Sequence, residues 1–213
     1  MTIPRWSAYI LSTAFLAIFS TEGQTCPASD CKGSNSGEGV NRKPGQVVAV
    51  HVFLKEQRLT LYLDGVAAFC TPVSTGKKAG WTPIGDFSII GKAARHRSST
   101  YGKFVTRGGK TLRRDVDSRR SKPPAGARFS GAPMPNFLRM TDNGIGIHAG
   151  TLPGYPASKG CIRVERGASE VLFRNCAVGD KVLVRERRGE HKETQAESMD
   201  QSDGGRYLDP SGG

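Results

Sequence analysis

The chain has 213 residues, a formal net charge of +12 and 37% hydrophobic residues. That length holds one ordinary domain with flanking segments, and that apolar fraction builds a core while excluding a membrane-embedded protein. The charge is uneven: between Lys92 and Arg128, twelve Lys and Arg face only Asp115 and Asp117, whereas residues 186–213 carry four basic and seven acidic side chains.

The N-terminus has Arg5 ahead of an apolar run from Ala8 to Phe19, followed by Ser20-Thr21-Glu22-Gly23. The run is short for a bilayer span, so residues 1–23 read as a secretory signal peptide, with an uncleaved anchor as the alternative. Lipid attachment at Cys26 fits poorly, because the bulky Gln24 stands where small residues are needed. Residues 24–45, rich in Ser, Gly, Asn and Pro, read as a linker, and 46–185 as the folded domain. From Glu186 to the end the chain is polar and charged, a disordered tail.

Val47–Leu54 is a strand by its β-branched content. Arg58–Leu63 alternates, with Leu59, Leu61 and Leu63 on one face, and Asp64-Gly65 is a hairpin turn into Val66–Val73. Phe87–Ile90, Phe104–Thr106, Phe137–Met140 and Ile145–Ile147 are further short strands, Ala168–Asn175 a helix, and Lys181–Val184 the last strand. Short strands separated by turns predict a mainly β, sandwich- or barrel-like domain with one or two short helices. The stretch from Gly91 to Pro135 reads as a long basic loop, a lid or substrate platform. Its charge is either a solvated surface or a landing surface for an anionic polymer. Nucleic acid is not the expected partner: the segment has few aromatics and no recognisable binding motif, and it follows a signal peptide.

Five cysteines in an exported chain suggest pairs plus one free thiol. Cys26 and Cys31 are spaced for a local loop. Cys70 and Cys176 either staple the core or are buried thiols. Cys161 is the expected free one. It lies in Ser158-Lys159-Gly160-Cys161-Ile162-Arg163, thirteen residues after His148 in Gly144-Ile145-Gly146-Ile147-His148-Ala149-Gly150. A thiol needs a base to attack near neutral pH, and an acyl intermediate needs backbone donors for its oxyanion. Small flanking residues let the chain turn and present them. The pattern reads as a cysteine nucleophile and its histidine base. No second Cys/His pair has zinc spacing, so neither a metal nor another cofactor is expected. His51, His96 and His191 read as ordinary histidines. Trp81, Met134, Pro135 and Phe137 are either cleft lining or core.

Three blocks in order, Ser74-Thr75-Gly76…Thr82-Pro83-Ile84-Gly85-Asp86-Phe87, Gly146-Ile147-His148 and Ser158-Lys159-Gly160-Cys161-Ile162-Arg163, resemble the L,D-transpeptidase catalytic domain (YkuD). The likeness covers roughly residues 46–185. Many members have His where this chain has Lys159. The resemblance implies a periplasmic or envelope enzyme acting on peptidoglycan stem peptides. Cys161 would attack the amide between an L-centre and a D-residue, with His148 as base, and an amine of another stem or of an anchored envelope protein would take the acyl group. Water as acceptor would make it a peptidase, and a non-catalytic wall-binding protein is the remaining alternative. Gly160 and Cys161 would supply oxyanion N–H groups, and the carbonyl of Ala149 or Gly150 would orient the base. Ser158, Lys159 and Arg163 would contact substrate. Lys159 either lowers the thiol pKa or points to solvent, and Arg163 either grips a substrate carboxylate or forms a structural salt bridge.

Overall fold

Val48, Val50 and Val52 are at most 1% exposed and alternate with Ala49 and His51 along β1 (Val48–Phe53). The period of two turns them all to one side. In this computed structural model, which describes residues 39–189, β1 is the middle of a five-stranded sheet. To one side lie β2 (Arg58–Leu63) and β3 (Val66–Pro72). To the other lie β10 (Lys181–Arg185), parallel to β1, and then β4 (Gly85–Ser88). Asp64 and Gly65 both have positive φ (51° and 78°), the backbone of a tight hairpin turn. Leu59 and Leu61 of β2 are fully buried, whereas Leu63 is only partly so.

The second sheet has the order β6-β5-β7-β8-β9, built from β5 (Gly91–Thr106), β6 (Thr111–Asp117), β7 (Ala127–Arg139), β8 (Gly146–Ala149) and β9 (Ile162–Val164). Leu138, Ile147, Ile162 and Val164 bring its buried face into the same core as Val50, Leu61 and Val182. The one helix among the described residues, α1 (Arg166–Asn175), buries Ala168, Val171, Leu172 and Asn175, an i, i+3, i+4, i+7 stripe. Its C-terminal carbonyls are capped by Lys92, whose ammonium donates to the carbonyl of Phe173 (2.6 Å) and to that of Cys176. A cation suits that end of the helix dipole.

Two expectations are corrected and one open alternative is decided. The basic loop from Gly91 to Pro135 is instead a β-arm of β5, β6 and the start of β7. The strand expected at Phe104–Thr106 is the end of β5; most of the other residues are exposed or half-buried, so no apolar alternation marks them as strands. Within the arm β5 carries a bulge: Arg97 pairs with Pro133 and Gly102 with Gly131, so Ser98–Tyr101 is extra chain on one side. Cys70 and Cys176 form no cystine; both are free thiols. Cys70 Sγ sits 3.4 Å from the Thr60 hydroxyl on the adjacent strand. Cys176 closes α1, and its burial, with the Asp180 charge, pushes its thiol up to about 12. The strand expected at Phe87–Ile90 is shifted to Gly85–Ser88, since Gly85 of the turn already pairs with Val184.

The described end of the expected linker, residues 39–45, is pinned to the helix end. Asn175 Nδ2 donates to the Val40 carbonyl (3.0 Å), and Arg42 pairs with Asp180 (3.0 Å). The signal segment, Cys26, Cys31, His191 and nearly all of the tail lie outside the described residues. Among the described residues no helix is long and apolar enough to cross a membrane.

Candidate active site

The segment 158–161 is shaped by the Ser-Thr-Gly…Thr-Pro block. Ser74 exchanges backbone hydrogen bonds with Arg163 (2.9 and 3.0 Å), and the Thr75 carbonyl accepts from both Ala157 and Ser158 (3.0 and 2.9 Å). Thr82 Oγ1 accepts from the Gly76 N–H and donates to the Gly160 carbonyl (2.7 Å). Ser74, Thr75 and Thr82 are at most 3% exposed. A buried hydroxyl must find partners: Thr82 bonds the Gly160 carbonyl, Ser74 bonds the Tyr155 carbonyl and the Ala157 N–H just ahead of the cysteine loop, and Thr75 accepts from the Gln57 side chain. Gly160 has φ +128°, and a Cβ there would lie 2.9 Å from the Trp81 carbonyl. Backbone conformation and space both call for glycine.

β8 and β9 run parallel with His148 opposite Arg163. Cys161 immediately precedes β9, so its side chain projects on the same side as that of Arg163. Cys161 and His148 line one open cleft of about 1360 Å³. His148 Nδ1 lies 2.8 Å from the Ala149 carbonyl. A carbonyl only accepts, so Nδ1 carries the proton and Nε2 is left with its lone pair. Burial lowers the His148 pKa to about 4, against the opposing pull of the Ala149 hydrogen bond and helped by the charges of Arg163 and His96. Burial also raises the Cys161 thiol above its ordinary value, although a backbone hydrogen bond with Gly146 and the Arg163 charge pull it down. At neutral pH the pair is therefore a neutral thiol and a neutral imidazole.

Four expected site residues have other geometry. The Gly160 N–H is already spent on Ser158 Oγ (3.0 Å), so it is not a free oxyanion donor, and Gly160 contributes its conformation. Ser158 is 1% exposed; its hydroxyl also donates to the Cys161 carbonyl (2.5 Å), so it shapes the loop rather than reaching substrate. Lys159 neither acts on the thiol nor points to bulk solvent. Its ammonium pairs with Asp115 (2.9 Å) and sits over the Tyr101 ring (4.7 Å), tying the cysteine loop to the arm. Gly150 leaves the orienting contact to Ala149 and instead gives room to the Arg163 stem, which a Cβ would approach to 3.0 Å. Arg163 has no ion-pair partner among the described residues, so the salt-bridge alternative does not hold.

Trp81, Met134 and Pro135 line the cleft. Phe137 lies behind it, 3% exposed, stacked on His96 at 4.4 Å between ring centres. Tyr101, brought in by the β5 bulge, was not singled out in the sequence, and Gly146 was singled out only as part of the Gly-Ile-His block, without a role. The Gly-Ile-His spacing was the available signal for Gly146, whereas nothing local marks Tyr101. No group of three or more His, Cys, Asp or Glu able to hold a metal occurs among the described residues.

The chain matches the YkuD family, the L,D-transpeptidase catalytic domain, over residues 47–184. It belongs to the L,D-transpeptidase catalytic domain family. The fold agrees. The L,D-transpeptidase from Mycobacterium smegmatis superposes with a TM-score of 0.50 at 18% identity, covering 66% of this chain and 59% of that one. LdtMt1 in complex with imipenem gives 0.51 at 19% identity, covering 66% and 60%. The chain thus spans about 60% of each of these L,D-transpeptidases. No curated protein matches it.

Two predictions follow from this L,D-transpeptidase site as folded. A Cβ at Gly146 would sit 2.2 Å from the Leu138 carbonyl oxygen. Gly146→Ala therefore forces the strands apart and costs about 2 kcal/mol, read as a fall in Tm of roughly 5 °C; an unchanged Tm would show that the β7–β8 approach is loose. His148 is held neutral when folded and protonates near the ordinary pH 6.5 when unfolded. Between those two pKa values the unfolded chain binds more protons, so stability rises with pH. It is complete above about pH 6.5 and falls by about 3 kcal/mol as pH drops through that window to about 4. Urea titrations of the parent chain and of His148→Gln check this: the variant should lose most of the slope.

Proposed function

We propose that this protein is an exported L,D-transpeptidase that acts on peptidoglycan stem peptides through a thioester on Cys161. The observation that carries the reading is the shared cleft: the free Cys161 thiol just ahead of β9 and the His148 imidazole on the parallel neighbour β8, with its Nδ1 locked on a carbonyl, in a fold whose family acts on wall peptides. His148 Nε2 takes the thiol proton as sulfur attacks the amide carbonyl carbon. The C–S bond forms, the C–N bond breaks, and the same proton leaves on the departing amine. An acceptor amine then attacks the thioester; a C–N bond forms, the C–S bond breaks, and the proton from the amine returns to sulfur through His148. Arg163, unpaired and beside the thiol, suits a substrate carboxylate as a two-pronged donor. The N-terminal segment 1–23 supports export to the periplasm or cell envelope.

Incubating the protein with disaccharide-tetrapeptide, with and without an amine acceptor, tests the reading. A crosslinked or acceptor-linked product means transfer. Trimmed tripeptide alone means that water is the acceptor and the protein is a peptidase. Sacculus binding with neither product means a non-catalytic wall-binding protein.

A further inference from the structure

One wall of the cleft is the arm, whose cations outnumber its two carboxylates, although Arg120 also feels the charge of Asp117. Lys103 of β5, Arg114 of β6 and Arg120 in the turn after β6 line the cleft together with Cys161 and His148. The two carboxylates of the arm are committed to other cations: Asp115 to Lys159 and Asp117 to Arg119, each at 2.9 Å. No ion pair reaches Lys103, Arg114 or Arg120 among the described residues. Lys103 is held in the sheet, and Arg114 lies in the β6 bulge between Arg113, which faces Phe104, and Val116, which faces Gly102. β5 is hydrogen-bonded to both β6 and β7, with Gly102 opposite Val116 and Lys103 opposite Ser130, and Phe104, Val105 and Val116 are at most 3% exposed beneath the charges. The Lys159–Asp115 pair holds this wall against the cysteine loop.

Cations that face a cleft without a direct ion pair raise the local concentration of anionic ligands and favour those that place a carboxylate beside each charge. A carboxamide keeps the shape of a carboxylate but loses the charge, so it is the discriminating competitor. Resting on the acyl-transfer reading above, we propose that Lys103, Arg114 and Arg120 form a carboxylate-reading subsite that selects donor peptides with free carboxyl groups over the same peptides carrying carboxamides. The arm then sets donor specificity, while Cys161 and His148 carry the bond exchange.

The test is equilibrium binding, which needs no turnover. The full chain carrying Cys161→Ala is titrated with a tetrapeptide donor bearing free carboxyl groups and with its amidated counterpart. The carboxylate peptide is expected to bind about tenfold more tightly at low salt, and the gap should shrink in about 0.5 M salt. Adding Lys103→Gln, Arg114→Gln and Arg120→Gln should close the gap, whereas the charge-keeping exchanges Lys103→Arg, Arg114→Lys and Arg120→Lys should retain most of it. If the triple Gln chain fails to fold, Arg114→Gln alone and the salt titration read the same gap. Equal binding of the two peptides, a gap that survives the Gln substitutions, or no binding of either peptide overturns the subsite. A parent chain that forms no covalent adduct with a penem overturns the acyl-transfer reading instead, and the carboxylate preference is still measured independently.

Discussion

Cys161→Ala is expected to abolish covalent labelling by a β-lactam of the penem or carbapenem class, read as the loss of the mass increment on the intact protein. Cys70 and Cys176 are the other free thiols among the described residues. Cys176 is 2% exposed with a thiol pushed up to about 12, and Cys70 does not line the cleft. Neither replaces Cys161. The fold tolerates the change, because the loop is held by the Ser158, Thr82 and Ser74 bonds rather than by the sulfur. An adduct on the Cys161→Ala chain would remove this residue as the nucleophile and the proposed mechanism with it.

His148→Gln is expected to slow acylation by a factor on the order of 10² to 10⁴, measured by stopped-flow or time-resolved mass spectrometry under single-turnover conditions. The size of the effect reports the resting state. If sulfur were already a thiolate paired with imidazolium, removing the imidazole would act through thiolate population alone. Here burial holds both partners neutral, so the proton must be taken during attack, and a side chain without a basic nitrogen cannot take it. Gln keeps a group able to donate to the Ala149 carbonyl, which separates lost basicity from lost geometry. An unchanged rate would exclude His148 as the base.

Much of this was legible in the chain because the first sheet is half-buried in the ordinary way. Alternation in Val48–Phe53 and Arg58–Leu63, the Asp64-Gly65 turn and the apolar stripe of α1 translate directly into elements. The arm was legible only at Phe104–Thr106, the end of β5. Its strands carry polar side chains on both faces, so their order comes from ladder hydrogen bonds and a few inward residues such as Phe104 and Val116, which no period announces. β9 was missed for another reason: its three residues, Ile162–Val164, are too few to show a period. In the site, His148 and Cys161 could be paired from spacing and resemblance. The destinations of individual hydrogen bonds could not. Ser158 turned inward, the Gly160 N–H was already engaged, and Lys159 joined an aspartate forty-four residues earlier in the chain.

The protonated resting state of Cys161 has a consequence beyond rate. Peroxides attack the thiolate far faster than the thiol, and the sulfinic and sulfonic acids that follow are dead ends. An enzyme stationed outside the cytosol, as proposed, has no thioredoxin pool close at hand to restore an oxidised nucleophile. The burial that raises the Cys161 thiol leaves less thiolate for small oxidants to attack between turnovers, so the feature that makes the sulfur rely on a base also slows its oxidation.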